Sequence, residues 1–122
     1  MAAERRRNRS NQLSTALRYQ LNASASRARF SSMVLAEDQG LVVANSGNDS
    51  ESEEIAALSP QIANNCDLWH GRVATSFGER TVTIAAVASP HGRLFLSGVG
   101  GNRASIISEL RQSSKGVCRI LG

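Results

Sequence analysis

The sequence predicts an α+β domain with the element order α-β-β-α-β-β-β-α, and three features of the chain indicate it. Leu13, Leu17 and Leu21 recur every fourth residue, which is the apolar period of an amphipathic helix. Two short apolar runs rich in Val, Leu, Met and Phe flank a turn signal at residues 38–40, as in a hairpin. The last third of the chain contains three further strand-like runs separated by turn residues.

The first predicted helix begins at Ser10, because a serine oxygen can accept a hydrogen bond from a free amide of the first helical turn. It ends weakly in the serine-rich segment 22–29. Residues 1–9, MAAERRRNR, carry charge without an apolar period, so a disordered basic tail is predicted there. The folded domain is expected to span residues 10–122.

The stretch LAEDQGLVVANSG, residues 35–47, is compatible at first sight with one interrupted helix or with two strands. A helix would hold Asp38 and Gly40 in its interior and would leave Val42 and Val43 on no consistent face. A hairpin needs only a tight turn, which Asp38 can enter and Gly40 can complete at positive φ. Two antiparallel strands, RFSSMVLAE and LVVANS, are therefore predicted.

A second helix is predicted from Glu51 to Trp69. Ser50 and Glu53 match the capping box, in which each side chain accepts from a free backbone amide at the helix start. Pro60 is expected to kink the helix, with Ser59 as a local cap, because proline lacks the amide donor. The apolar face of this helix, with spacings of three and four residues, comprises Ile55, Leu58, Ile62, Cys66 and Trp69.

Three strands follow, RVATSF, RTVTIAAVA and RLFLSGV, with the turn signals GE and SPHG between them. The middle run is small or apolar on both faces, which suits a central strand. A third helix is expected after Asn102 as its cap, with Ile106, Ile107 and Leu110 on its apolar side. The pattern leaves open whether residues 116–122 form helix or strand.

Composition and charge restrict the classes of protein to which the chain can belong. Its 122 residues suffice for one domain, and 4% aromatic residues imply an aliphatic core. The net charge is +4, but four of the 14 basic residues and one of the 10 acidic residues fall within residues 1–9, so the rest is almost neutral. No apolar run approaches the roughly 20 residues of a membrane span, and no apolar signal segment follows the arginines. Two cysteines form no disulfide framework, so a cytoplasmic location is expected.

No constellation of side chains indicates a catalytic centre, a metal site or a bound cofactor. The residue types of a Cys2His2 zinc site are present in Cys66, His70, His91 and Cys118. Their spacing does not match such a site, because the close cysteine pairing of structural zinc sites is missing. The segment GVGGNR, residues 98–103, brings glycines to a helix start but lacks the lysine of a Walker motif. Nucleic-acid binding is not expected, since stacking aromatics and a basic surface are missing; the arginine tail leaves open a weak polyanion contact.

In this order of elements the chain resembles the Roadblock family of dynein light chains and bacterial small-GTPase regulators. The similar segments are MVLAEDQGLVVANSG as the first hairpin, SEEIAALSPQIA as the central helix and RTVTIAAVASPHGRLFLSGV as the closing strands. The resemblance implies a profilin-like, five-stranded antiparallel sheet, with helices one and three on one face and helix two on the other. It also implies a homodimer formed by pairing of the third strands.

The expected dimer interface follows from that resemblance by position, and sheet dimensions favour the same assembly. Five strands at about 4.8 Å spacing make a face roughly 24 Å wide, whereas one helix is only about 10 Å across. A single helix would therefore leave much of its face bare unless a second copy covered it. The residues expected at the interface are Arg72, Val73, Ala74, Thr75, Ser76, Phe77, Leu58 and Ile62.

The resemblance implies a non-enzymatic homodimeric module that binds a Ras-like small GTPase, either to regulate it, for instance as a GTPase activator, or to tether it as a scaffold. Helical spacing turns Glu54, Gln61 and Asn65 away from the apolar face, so these residues are the predicted partner contacts. The alternative is a small-ligand sensor with a pocket on the thinly covered sheet face.

Overall fold

The computed structural model describes residues 2–90 and 92–122, with side chains from Gln12 onward. The elements are α1 (Ala2–Ala28), β1 (Phe30–Glu37), β2 (Val42–Ser46), α2 (Asp49–Ile62), β3 (Leu68–Thr75), β4 (Gly78–Ser89), β5 (Gly92–Gly100) and α3 (Ile106–Leu121). The five strands form one antiparallel sheet in the order β2-β1-β5-β4-β3. The predicted α+β class and order of elements are confirmed.

The hairpin of β1 and β2 forms around the predicted turn. The Glu37 amide donates to the Leu41 carbonyl and the Gly40 amide donates to the Glu37 carbonyl, both at 2.9 Å. Gly40 has a φ of +84°, which side chains other than glycine rarely adopt. The pairing of β1 with β2 shifts register between Leu35 and Ala36, so the hairpin contains a bulge.

Helix α1 is longer than predicted, because it begins at Ala2 and not at Ser10. The segment before Ser10 is rich in alanine and arginine, which are strong helix formers, and contains neither glycine nor proline. The predicted helix start is therefore wrong, whereas a boundary between basic tail and domain at residues 9 and 10 stays a prediction.

Although α1 has 27 residues, no helix in the described part of the chain is long and apolar enough to cross a membrane.

Helix α2 starts at a different cap from the one predicted. The side-chain oxygen of Asn48 accepts a hydrogen bond from the Glu51 amide at 3.0 Å. The predicted capping box of Ser50 and Glu53 is wrong, because asparagine caps as well as serine and lies nearer to the strand that precedes the helix.

The end of α2 also differs from the prediction. The helix stops at Ile62, soon after Pro60 removes one amide donor, so its continuation to Trp69 is wrong. Ser59 is not a cap, since its hydroxyl donates to the Ile55 carbonyl at 2.7 Å. Spacings of three and four residues also fit a helix followed by a turn and a strand, and Trp69 lies in that strand, β3.

Strand β3 lies earlier in the sequence than the predicted segment 72–77. It begins at Leu68 and ends at Thr75, and Ser76 and Phe77 form the turn to β4. The predicted turn at GE is therefore shifted, because Gly78 already belongs to β4.

Helix α3 spans residues 106–121, which settles residues 116–121 as helix. Ser105 and not Asn102 occupies the cap position. Asn102 forms the turn before the helix, where its carbonyl accepts from the amides of Ser105 and Ile106. Ile107 is 42% exposed, so its predicted place on the buried side is wrong.

The sheet separates two apolar cores, as the resemblance implied. α1 and α3 cover one face and are joined by an ion pair of 2.8 Å between Arg27 and the buried Glu109. α2 covers the other face. The core under α1 and α3 contains Leu17, Leu21, Phe30, Met33, Leu35, Leu94, Leu96, Leu110 and Val117. The core under α2 contains Val34, Ile55, Ala56, Val73, Val82, Ile84, Phe95 and Val99.

Candidate interaction surface

Strand β3 forms one edge of the sheet. Its eight residues pair with β4 without a register shift, from Leu68 opposite Ala85 to Thr75 opposite Gly78. Within the described residues no strand pairs with its other side. Such an edge offers backbone amides and carbonyls to a further strand.

The side chains of β3 alternate between the two faces of the sheet. On the α2 face, Val73 is buried and Trp69 is half-buried against the core. On the opposite face, His70, Arg72 and Ala74 are exposed. The α2 face of the strand is therefore apolar, and the opposite face carries Arg72 beside the exposed Leu68, His70 and Ala74.

The residues predicted for the dimer interface lie together at this edge, although not all of them are in the strand. Arg72 and Ala74 are exposed, Thr75 is half-buried, and Val73 belongs to the core. Ser76 and Phe77, which were expected in the strand, are exposed in the turn that follows it.

Helix α2 covers its face more completely than its width predicted. Val82, Ile84 and Phe95 are each 1% exposed, so the prediction of a largely bare face is wrong. Small residues on the inner side of α2, such as Ala56 and Ser59, let the helix lie close to the sheet. Several apolar residues around this core are half-buried. Val42 is one of them, on β2; the others, here called the β3 margin, are Leu58, Ile62, Trp69 and Ala86.

Glu54 connects α2 to the turn after β3. Its carboxylate accepts hydrogen bonds from the Ser76 amide at 2.8 Å and from the Ser76 hydroxyl at 2.5 Å. The hydroxyl, and then the amide, hold the pKa of the Glu54 carboxyl below its ordinary value, because both hydrogen bonds favour the charged form. Since Glu54, Leu58 and Ile62 are spaced by four residues, the two apolar side chains lie on the flank of α2 that faces this turn.

The other two predicted partner contacts are exposed, but only one of them is on the helix. Gln61 lies in the last turn of α2, whereas Asn65 lies in the loop after it and not on a helical face as predicted. Arg93 fixes that loop, since its guanidinium donates to the carbonyls of Asn64 at 2.6 Å and Cys66 at 3.1 Å.

The cysteines and histidines do not come together in the described structure. Cys66 is in the loop after α2, and His70 is in β3 with its Nδ1 2.7 Å from the Thr83 hydroxyl. Across residues 2–90 and 92–122 no group of three or more His, Cys, Asp or Glu side chains could hold a metal ion. His91 lies outside the described residues.

A cleft of about 610 Å³ opens on the α1/α3 face, beside the start of α3. It is lined by His70, Arg72 and Thr81 from β3 and β4, and by residues 100–101 and Arg103 from the segment before α3. The sequence indicated the glycines of this segment, but nothing in a linear pattern connected Arg103 with Arg72. The small-ligand alternative placed its pocket on the α2 face, which is the opposite one.

No family model and no curated protein sequence matches this chain. MglB from Myxococcus xanthus is similar over 87% of this chain and 87% of its own, at 13% identity and a TM-score of 0.66. A Roadblock/LC7 domain from Streptomyces avermitilis is similar over 82% of this chain and 92% of its own, at 16% identity and a TM-score of 0.67. The gliding protein MglB from Thermus thermophilus is similar over 89% of this chain and 90% of its own, at 10% identity and a TM-score of 0.64.

These similarities extend over 82–89% of the chain at TM-scores of 0.64–0.67. At such low identity they define the fold alone. The chain has a Roadblock-type fold.

Proposed function

We propose that this protein is a non-enzymatic homodimeric module that binds a Ras-like small GTPase and regulates or tethers it. The observation that carries the dimer is the β3 edge, which is eight residues long, regular in register and flanked by the half-buried β3 margin. A long, regular edge beside apolar surface is a liability for an isolated copy, and a second copy relieves it.

A two-fold axis beside β3 would pair the two edges and produce one ten-stranded sheet. The two α2 helices would then lie side by side, and Leu58, Ile62 and Trp69 of both copies would become buried. Arg72, Ala74, Ser76 and Phe77 would lie along the junction between the two copies.

The partner class is supported by the Roadblock-type fold, since the family that the sequence resembles includes bacterial small-GTPase regulators. The module would act by contact and positioning: the paired α2 helices would orient the switch regions of the GTPase. Glu54, Gln61 and Asn65 are the proposed contacts, and Glu54 in addition fixes the turn beside them. The arginine tail would add a weak, salt-dependent contact with polyanions, in the cytoplasm.

Sedimentation velocity over a range of protein concentrations tests the dimer. We expect a species of twice the 13.0 kDa of one chain. A species of 13.0 kDa at all concentrations would contradict the homodimer.

Binding to a panel of Ras-like GTPases, each loaded with GDP and with a non-hydrolysable GTP analogue, tests the partner. We expect one GTPase to bind with a preference for one nucleotide state, and Gln61→Glu to weaken that binding without changing the dimer. A dimer that binds none of them, but whose melting temperature rises with a small ligand, would favour the sensor function instead.

A further inference from the structure

The cleft on the α1/α3 face has the volume of a small-molecule site. Its volume of about 610 Å³ falls within the range of roughly 300–1,000 Å³ typical of ligand pockets. α3 lies over β4 and β5, so the outer part of this face, over β3, carries no helix. The cleft lies between that open part and the start of α3.

The charge of the cleft comes from two guanidinium groups on different elements. Arg103 precedes α3 and, among the described residues, makes no ion pair. Arg72 projects from β3 and pairs with Glu79 at 3.4 Å, with both side chains more than half exposed. A pair so exposed is weak, so an anionic ligand could replace Glu79 on Arg72. Among the residues whose side chains are described, no acidic one lines the cleft.

Uncharged polar groups complete the lining. The Nδ1 atom of His70 is held 2.7 Å from the hydroxyl of the buried Thr83, which fixes the ring and leaves Nε2 for another partner. Thr81 contributes a second hydroxyl. Gly100 and Gly101, with φ values of +75° and +98°, also line the cleft.

We propose that this cleft binds a small phosphate-bearing molecule. A guanidinium group presents parallel donors that match two oxygens of a phosphate, and two such groups from different sides suit a compact group of two or more negative charges. The positive end of the α3 dipole adds to the positive potential of the two guanidinium groups, since Ile106 at the start of α3 lines the cleft. An extended acidic peptide fits less well, because α3 bounds the cleft on one side. The inference does not rest on the proposed GTPase contact, which lies on the opposite face.

Titration of the full, isotope-labelled chain with inorganic pyrophosphate at constant ionic strength tests the proposal by NMR. We expect saturable shifts of the amides of Thr81, Gly100 and Gly101. Arg103→Gln and Arg72→Gln should each weaken binding about tenfold, which is the effect of losing one charge-assisted, bidentate contact. The matched control is Arg119→Gln, which removes the same charge near the far end of α3 and should leave the affinity unchanged.

Two further experiments identify the source of the phosphate and test whether any polyanion binds equally well. Vesicles with and without an anionic phospholipid, sedimented with the protein, distinguish a lipid headgroup from a free phosphate: loss of lipid binding in Arg103→Gln would support the phosphate site and place it at a membrane surface. A poly-glutamate peptide that binds the cleft more tightly than pyrophosphate would overturn the proposal. Shifts confined to the arginine tail, or an equal loss of affinity in all three variants, would also overturn it.

Discussion

Strands β2 and β3 are the two edges of the same sheet, and they differ in length and in the regularity of their pairing with the neighbouring strand. β2 has five residues, and its pairing with β1 contains a bulge. β3 has eight residues in unbroken register with β4. Short, bulged edges resist pairing with another chain, whereas long and regular ones invite it. Of the two edges, β3 is therefore the one that the proposed dimer would use.

The side chains of β3 differ between its two faces. Arg72 and His70 both project to the face of the cleft. The α2 face of the same strand carries Trp69 and the rest of the β3 margin. One strand therefore serves two surfaces, with apolar contact on one face and a cationic cleft on the other.

The largest effect on stability and on the dimer is expected from Leu58→Asp, which places a charge in the β3 margin. Burying an unpaired carboxylate against the core should lower the free energy of unfolding by roughly 2–3 kcal/mol and abolish the dimer. Chemical denaturation and sedimentation velocity measure the two effects. The control is Ile107→Asp, at a residue 42% exposed on α3, which should fold and assemble as the wild type does. Equal behaviour of the two variants would refute the placement of Leu58 in the interface.

The next largest effect is expected when one apolar side chain is truncated on each edge strand, β3 and β2. Trp69→Ala on β3 removes a half-buried indole and should cost about 2 kcal/mol of stability, with a dimer dissociation constant raised more than about tenfold. Val43→Ala on β2, where the side chain is 36% exposed, should cost under about 0.5 kcal/mol and leave the dimer intact. Weaker assembly in the β2 variant than in the β3 variant would reverse the assignment of the edges.

A smaller effect is expected from Asn48, where a substitution should change the stability of the fold and not the dimer. Asn48→Ala removes the cap of α2 and should lower the free energy of unfolding by about 1 kcal/mol, whereas Asn48→Asp keeps an acceptor and should restore most of it. The dimer of both variants should be unchanged in sedimentation, because the cap lies outside the β3 margin. Loss of the dimer in Asn48→Ala alone would mean that α2 as a whole is marginally folded.

The smallest effect concerns the turn at the end of β3. Because its pKa is lowered in the folded state, Glu54 stabilises the fold above the ordinary carboxyl pKa, and this contribution is lost as the pH falls through the lowered pKa. Ser76→Ala removes the hydroxyl donor and should raise the pKa of Glu54 towards its ordinary value, whereas Ser76→Thr should not. NMR titration of the Glu54 carboxyl measures this pKa in each variant. An unchanged pKa in Ser76→Ala would show that the Ser76 amide alone stabilises the charged carboxylate.

Local chemistry was predictable from the sequence, and contacts distant in the chain were not. The turn at Asp38 and Gly40 was predicted correctly because its hydrogen bonds and the positive φ of Gly40 lie within residues 37–41. The end of α2 was not, because Cys66 and Trp69 continue the apolar spacing of a helix that Pro60 ends. Only the pairing of β3 with β4 shows that Trp69 belongs to a strand.

The candidate surfaces follow the same division. Helical spacing predicted that Ile55 is buried and that Gln61 is exposed. It could not place Glu54 against Ser76, because that contact depends on where β3 ends. Nor could it bring Arg72 and Arg103 to one cleft, since the sheet topology alone makes neighbours of residues so far apart in sequence.

Amide hydrogen exchange, resolved by residue and repeated at several protein concentrations, tests the pairing of β3 most directly. If β3 joins a second copy, those of its amides that lack a partner in one chain should become protected as the concentration rises through the dimer dissociation constant. The amides of β2 should exchange at rates independent of concentration. Protection of β3 that does not change with concentration, or a concentration dependence confined to β2, would contradict assembly through the β3 edge.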